Sequence, residues 1–379
     1  MVVGVALVGA RLGDTSQTNW RFYSALDRIL ASLALILAIS YFSKRLPKFL
    51  VTYRFAGLLI IAAMIRVFSI IASPNPSIDV FYILRDGSKQ LLSLQNPYKM
   101  AYPAPWGVYI PTIVFVYGPL TPFIFLPSVA LFNDPRYTLV IADIVSAFLI
   151  YRLAKHLKVD KTITNLIMVI FLFHPLFPFM TEQAWLEPVM TLFLLSAVYL
   201  SIKYPKRIFA NILLGAILAV KSVYLLPLLT LLKNQKANIV QYSVTILIPL
   251  ALSLPFLLMD SKLFLQRTQT YVTDPSVIQT SLAPSHISLS LAAVILKYTG
   301  IVLPTFVVAI LGLITALILI SYGPKTPPFA LLSSFLVFMV LFMFGPFVFL
   351  HYFAFLGNIL LFCILLFLSK NSQALHKRL

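Results

Sequence analysis

The sequence predicts an all-α polytopic membrane protein with about 10–12 transmembrane helices. Three observations carry that expectation. Of 379 residues, 60% are hydrophobic and only 11% are charged, against roughly 25% charged in an ordinary soluble domain. The mean hydropathy is +0.95. Apolar runs long enough to cross a bilayer recur along the whole chain. A water-soluble fold of this length lacks the polar side chains to cover its own surface. A transmembrane β-barrel would need alternating strands of roughly 10 residues, and the sequence has none of that pattern.

Spans are expected at 29–43, 55–73, 137–153, 162–180, 188–202, 208–220, 222–232, 239–259, 301–321, 328–345 and 350–368. The two pieces around Lys221 are too short for full spans and read as a tight hairpin or broken helix. The stretch 111–132 is apolar but carries Pro111, Pro119, Pro122, Pro127 and Gly118. Prolines at that density oppose a continuous helix, so an irregular, partly embedded element is expected there. No fixed-period repeat divides the chain, which reads as a single transmembrane domain over 1–379, with outer loops at 74–136 and 260–300.

Charge places the ends. The formal net charge is +18. With 111–132 not crossing, the basic loops Lys44/Arg45/Lys48/Arg54, Arg152/Lys155/Lys158/Lys161, Lys203/Lys206/Arg207 and Lys233/Lys236 share one side. Lys325 and the tail Lys370/Lys377/Arg378 join them. Lys and Arg concentrate in cytoplasmic loops, so that side is expected to be cytoplasmic. The excess therefore reads as topology, and nucleic acid is not an expected partner. Nine of the eleven acids fall on the other side: Asp14, Asp27, Asp79, Asp86, Asp134, Glu182, Glu187, Asp260 and Asp274. Acids on one face hint at a site there, or only at inner loops that are short and basic. Cys363 is the single cysteine, which excludes a disulfide framework and a zinc cluster. The start of the chain lacks the basic region of a secretory signal. No P-loop or dinucleotide fingerprint is present.

The first outer loop is the most informative stretch. Asp79 directly follows the end of a span. Val80–Leu94 has helical apolar spacing and is expected to lie along the surface. Asn96-Pro97-Tyr98 is a turn signal. Tyr98, Tyr102, Trp106, Tyr109 and Tyr117 follow, a composition suited to headgroup depth. Such a loop can shape a pocket for an amphiphilic ligand or form an inert interfacial plug.

An Asp after a span, a surface helix, Asn-Pro-Tyr and then Tyr117-Gly118-Pro119-Leu120 resemble the GT-C glycosyltransferases, membrane enzymes that take sugar from a polyprenyl-phosphate carrier. Ala142–Lys155 (ADIVSAFLIYRLAK) and Phe173–Leu200 (FHPLFPFMTEQAWLEPVMTLFLLSAVYL) are similar to spans of the GPI mannosyltransferase I family. Ile212–Leu232 (ILLGAILAVKSVYLLPLLTLL) resembles the Lys-containing broken helix of polyprenol-phosphate-mannose-dependent mannosyltransferases. The resemblance covers roughly 55–260. It implies a GT-C-like fold and inverting transfer of a hexose, most readily mannose, from a polyprenyl- or dolichyl-phosphate sugar to a lipid-linked or glycan acceptor. The reaction would run at the outer face of a plasma membrane, with a composition compatible with a prokaryote such as an archaeon.

Residue by residue, the resemblance assigns Asp79 as the base that deprotonates the acceptor hydroxyl. The family carries two acids at this place. Here the segment is Ser77-Ile78-Asp79, so a bridging divalent metal lacks its second acid, and no cofactor is expected. Cations must then stabilise the leaving phosphate. The candidates are Lys221, which matches the family Lys, His351 at the start of the last span, and Arg66 in mid-span. Arg66 lies about 20 Å from Asp79 along a straight helix; an intramembrane Arg needs a partner, and pairing with Asp143 is the preferred reading. Lys221 can equally snorkel to the interface, and His351 can be a structural histidine. Glu182 and Glu187 are expected to bond sugar hydroxyls, or to be solvated turn acids, with Trp185 stacking on a ring. Tyr98 and Tyr117 are expected to line the acceptor pocket. Two other classes compete. A transporter or flippase would also need broken helices and intramembrane charge. A non-catalytic subunit would leave Asp79, Lys221 and His351 apart.

Overall fold

A computed structural model describes Ile29, Ser32, Leu33 and residues 48–369, apart from 77, 104–111, 175, 206, 235–236, 271–287 and 346–347. Apart from Ile29, Ser32 and Leu33, the span expected at 29–43 lies outside the described residues, as does the tail Lys370/Lys377/Arg378. The described chain is helical except for one short strand pair.

Helix α1 (Lys48–Ala72) is followed by Pro74 and Pro76, and a proline cannot continue a helix. Helix α2 (Asp79–Leu92) is amphipathic, as its spacing predicts. Its apolar side, Phe81, Ile83 and Leu84 with Gly87 and Ser88, is buried. It does not lie loosely on the surface: it packs on α3 (Thr121–Phe132), and Ser88 Oγ donates to the Pro122 carbonyl at 3.1 Å. Between them a 3-10 turn (Pro97–Lys99) leads into an antiparallel pair, β1 (Ala101–Pro103) and β2 (Thr112–Val114), in register Ala101 to Val114. The stretch 111–132, expected to be irregular, is thus part strand and part helix. Pro122 stands in the first turn of α3, where its missing N–H costs nothing. Asn133 ends α3 in the left-handed region, at φ 57°.

Helices α4 (Arg136–His156), α5 (Lys161–Phe173), α6 (Leu176–Glu182) and α7 (Glu187–Lys203) follow. Asp160 caps α5 by accepting from the Thr162 and Ile163 amides. Next come α8 (Phe209–Val220) and α9 (Leu225–Asn234), joined through Lys221 and a 3-10 turn (Ser222–Tyr224). This is the break predicted at Lys221. Helix α10 (Ile239–Leu265) opens with a capping box between Asn238 and Gln241 and kinks at Asp260. Helices α11 (Leu291–Thr299), α12 (Thr305–Tyr322), α13 (Pro327–Phe344) and α14 (Leu350–Phe367) complete the described chain.

Among the described residues seven helices are long and apolar enough to cross a membrane: Phe55–Ala72, Arg136–His156, Lys161–Glu182, Ile239–Thr268, Thr305–Tyr322, Pro327–Phe344 and Leu350–Phe367. The expected number was higher because α7 has 17 residues and α8 and α9 are half-length, about 18 Å and 15 Å at 1.5 Å per residue. The chain is thus an all-α polytopic protein of membrane type. Helices α10 and α12 expose most of their apolar surface, including Leu258 at 78% and Phe306 at 65%. Lipid is the solvent that tolerates such faces.

Short connections between most spans, with α5 and α6 running on as one span, sort the helix ends into two groups. Lys155, Lys161, Lys203, Lys233 and Lys325 belong to one end. The segment after α1, Arg136, the turn 183–186, Lys221 and His351 belong to the other.

Candidate functional site

The site is organised by the turn between α6 and α7. Helix α6 closes with a Schellman arrangement: the Trp185 amide donates to the Met180 carbonyl at 3.0 Å and the Ala184 amide to the Thr181 carbonyl at 3.1 Å. The left-handed position, usually glycine, is held by Ala184 at φ 55°. Such backbone costs an L-residue roughly 1–2 kcal/mol. This strained turn sends Glu182 to one side and Glu187 to the other.

On the Glu182 side, Oε1 accepts from Ser73 Oγ at 2.7 Å, and Gln183 Nε2 donates to Oε2. Arg136, wholly buried, donates to the Ser73 carbonyl at 2.8 Å and pairs with Asp134 at 2.6 Å. Its guanidinium lies 4.9 Å from the centre of the Phe81 ring. Asp79 heads α2, two residues before Phe81. It is half-buried, and its Oδ1 accepts from the Val80 amide at 2.8 Å. A carboxylate at a helix N-terminus is favourably placed against the helix dipole.

On the Glu187 side, the Lys221 ammonium donates to Glu187 Oε1 at 2.7 Å. His351 Nε2 lies 3.8 Å from the same oxygen. Lys221 also sits 4.8 Å from the centre of the Tyr352 ring. The His351 ring packs against Trp185 and Tyr352, each 4.3 Å away centre to centre and tilted by 39° and 36°. Side-chain exposure is 0% for Glu187, 7% for His351 and 9% for Lys221. Glu187 Oε2, His351 Nδ1 and Tyr224 Oη are buried without a hydrogen-bond partner.

Lys221 is presented by an exact fit of two backbones. Its own conformation is extended (φ −139°, ψ 105°), which stops α8. The open end of α8 is then capped from the first loop: Gly118 N donates to the Val220 carbonyl at 2.9 Å and Leu120 N to the Ala219 carbonyl at 3.1 Å. Only a residue without Cβ fits at 118, because a Cβ there would collide with the Ala219 carbonyl. The Tyr-Gly-Pro-Leu segment is therefore the seat of the broken helix.

Compared with family models, curated proteins and solved structures, the chain matches none.

The sequence-predicted residues fall into three groups. Lys221, His351, Glu187 and Trp185 come together. Asp79 and Glu182 stand on the Arg136 side of the same turn. Arg66, Tyr98 and Tyr117 are placed otherwise. Arg66 pairs with Asp143 at 2.7 Å, and its remaining nitrogens donate to the Ala62 and Leu172 carbonyls. All three nitrogens bond protein groups inside the bundle, which is the preferred pairing with Asp143; a role toward a phosphate stays an expectation. Tyr98 is fully buried against Phe115, Phe256 and Phe264 and donates to the Tyr117 carbonyl at 2.9 Å. Burial holds its phenol well above the ordinary tyrosine value. It anchors the loop to α10. Tyr117 is half-buried beside it. Glu182 and Glu187, expected to bond sugar hydroxyls or stand solvated, are buried and engaged with protein groups.

Sequence reasoning missed Arg136, Ser73, Tyr224 and Tyr352. Arg136 had a readable signal: a cation in the first turn of a helix opposes the dipole, so it needs a nearby carboxylate, and Asp134 supplies one. Tyr224 follows Lys221 by three residues and Tyr352 follows His351 directly, but aromatic residues are too common here to single them out.

Chemically, the Glu187 cluster joins a carboxylate, an ammonium and an imidazole that are all nearly buried. It can hold an anion or hydroxyl groups and can exchange a proton. Among the described residues no group of three His, Cys, Asp or Glu side chains is arranged to hold a metal ion.

Proposed function

We propose that this protein is a GT-C-like membrane glycosyltransferase that moves a hexose, most readily mannose, from a polyprenyl-phosphate carrier to a lipid-linked or glycan acceptor. One observation carries the reading. Lys221 and His351, far apart in sequence, meet around Glu187 and beside Trp185 at the same end of the bundle as Asp79. Two nitrogen groups facing one buried oxygen form a seat that suits an oxygen anion. The Trp185 ring packed against His351 suits a sugar.

In this mechanism Lys221 and His351 hold the phosphate as the bond to the anomeric carbon breaks. Asp79 takes the proton of the attacking hydroxyl, giving inversion. Arg136 fixes the Ser73–Glu182 wall beside Asp79. The carrier tail lies in the bilayer along the apolar helices. The site faces the outer side of a prokaryotic plasma membrane, opposite the basic loops.

The test is transfer from a short-chain polyprenyl-phosphate hexose by protein in proteoliposomes. Asp79→Asn and Lys221→Met should each lower kcat/KM at least about 100-fold, since general-base catalysis alone contributes roughly 100-fold or more. Full activity of folded Asp79→Asn would remove it from the mechanism. A second reading, movement of the lipid-linked sugar across the bilayer, is favoured by interruptions at three places: His174, Lys221 and Asp260. It predicts carrier translocation with no sugar transfer.

A further inference from the structure

In the cluster around Glu187 the charges cancel but the hydrogen bonds are incomplete. Glu187 carries one negative charge and Lys221 one positive charge, joined through Oε1 at 2.7 Å. Glu187 Oε2, His351 Nδ1 and Tyr224 Oη have no partner. Protein interiors rarely leave buried polar atoms unsatisfied, and three in one cluster point to a ligand that completes them. The groups facing His351 are Glu187 from the head of α7, Lys221 from the end of α8, and Tyr352 packed at a tilt against its ring. Trp185 and Phe349 add apolar cover. Tyr224 faces Glu187 and Tyr352 from the 3-10 turn.

Consider an anion entering this enclosure. The cluster starts neutral. A singly charged headgroup would leave it one unit negative, and an uncompensated charge in such an interior is strongly disfavoured. Imidazole is the group here whose ordinary range lies nearest neutral pH. Protonated, it donates from both ring nitrogens: Nε2 toward Glu187, and the unpartnered Nδ1 toward an oxygen of the ligand. The sum is then Lys221 (+1), His351 (+1), Glu187 (−1) and ligand (−1), which is zero. A dianion would not be balanced by one proton, and a phosphodiester carries a single charge.

We propose that this cluster seats a phosphodiester headgroup and takes up one proton at His351 as the headgroup enters. The inference rests on the anion seat of the proposed function and adds its charge state and proton linkage. Glu187 is then a positioning residue. It fixes Lys221 and makes the seat demand a proton.

The experiment is a binding titration in non-ionic detergent micelles with a dodecyl methyl phosphodiester, whose own charge is constant near neutral pH. For the parent chain, Kd should rise about tenfold per pH unit between about pH 6 and about pH 8, the signature of one linked proton. His351→Gln should bind weakly with no pH slope. Glu187→Gln should also lose the slope, and should bind more tightly than the parent at the alkaline end, because Lys221 is no longer neutralised from within. Dimethyl phosphate binding with the same slope but lower affinity assigns the seat to a lipid-borne diester; equal affinity retains the seat and makes its source soluble. A flat profile in the parent, or a parent-like slope in His351→Gln, overturns the proton linkage. No binding of either probe overturns the seat. No sugar is transferred in this assay, so failure of the transferase reading leaves its result interpretable.

Discussion

Asp143→Ala is expected to destabilise the protein by about 3–5 kcal/mol, the typical effect of removing one partner from a buried ion pair. The structure makes Arg66 a strong case. Both side chains are 1% exposed and the N–O distance is 2.7 Å. The substitution leaves a guanidinium enclosed, with only the Ala62 and Leu172 carbonyls, at 2.9 and 3.2 Å, to receive its protons. Neither carbonyl carries the formal charge that Asp143 supplies. Arg66→Met alone strands the carboxylate and should cost a similar amount. The double variant Arg66→Met/Asp143→Leu should lie within about 2 kcal/mol of the parent, because replacing both ions with apolar groups removes the desolvation cost together with the attraction. The assay is reversible denaturant titration in mixed micelles, read by tryptophan fluorescence, for the complete double-mutant cycle. Single variants within about 1 kcal/mol of the parent, with no coupling between the sites, would refute the argument. If Arg66 held the carrier phosphate instead, Arg66→Met would lose sugar transfer while keeping its stability.

Two further outcomes follow from the first loop. Gly118→Ala must push the loop away from the end of α8 and weaken the Gly118–Val220 and Leu120–Ala219 hydrogen bonds; at about 1 kcal/mol each, the loss is about 2 kcal/mol in the same titration, with a parallel fall in phosphodiester affinity because Lys221 shifts. Tyr98→Phe removes one buried hydrogen bond to the Tyr117 carbonyl and should lower stability by about 1 kcal/mol while KM for the acceptor is unchanged; a large rise in KM with unchanged stability would return Tyr98 to the acceptor pocket.

The class of protein was fully legible in the sequence, because a bilayer imposes length and polarity on every helix that crosses it. Composition and run length therefore sufficed to place most helices, and the broken helix at Lys221 could be located from two short apolar pieces flanking a cation. The pairing of Arg66 with Asp143 was also anticipated, since an intramembrane charge demands a partner and few were available. The elements that went differently share a cause. The stretch 111–132 forms no continuous helix, as its prolines predict, but the 12-residue helix from Thr121 was not foreseen: Pro122 sits in a first helical turn where it is harmless, and the Gly118–Leu120 backbone finds its partners on α8, about 100 residues away. Likewise Tyr98 belongs by composition to an interfacial belt, but Phe256 and Phe264 from α10 enclose it.

The sequence by itself determined that these helices are long and apolar enough to cross a membrane, which loops are basic, and which few polar side chains are candidates for chemistry. Only the tertiary structure decided which candidates face one another. Hydropathy is a local property that each segment carries alone, whereas the meeting of Glu187, Lys221 and His351 depends on three helix ends from separate parts of the chain. The strained turn at Ala184 and the loop backbone at Gly118 fix two of those ends, and no periodicity within any one segment encodes that convergence.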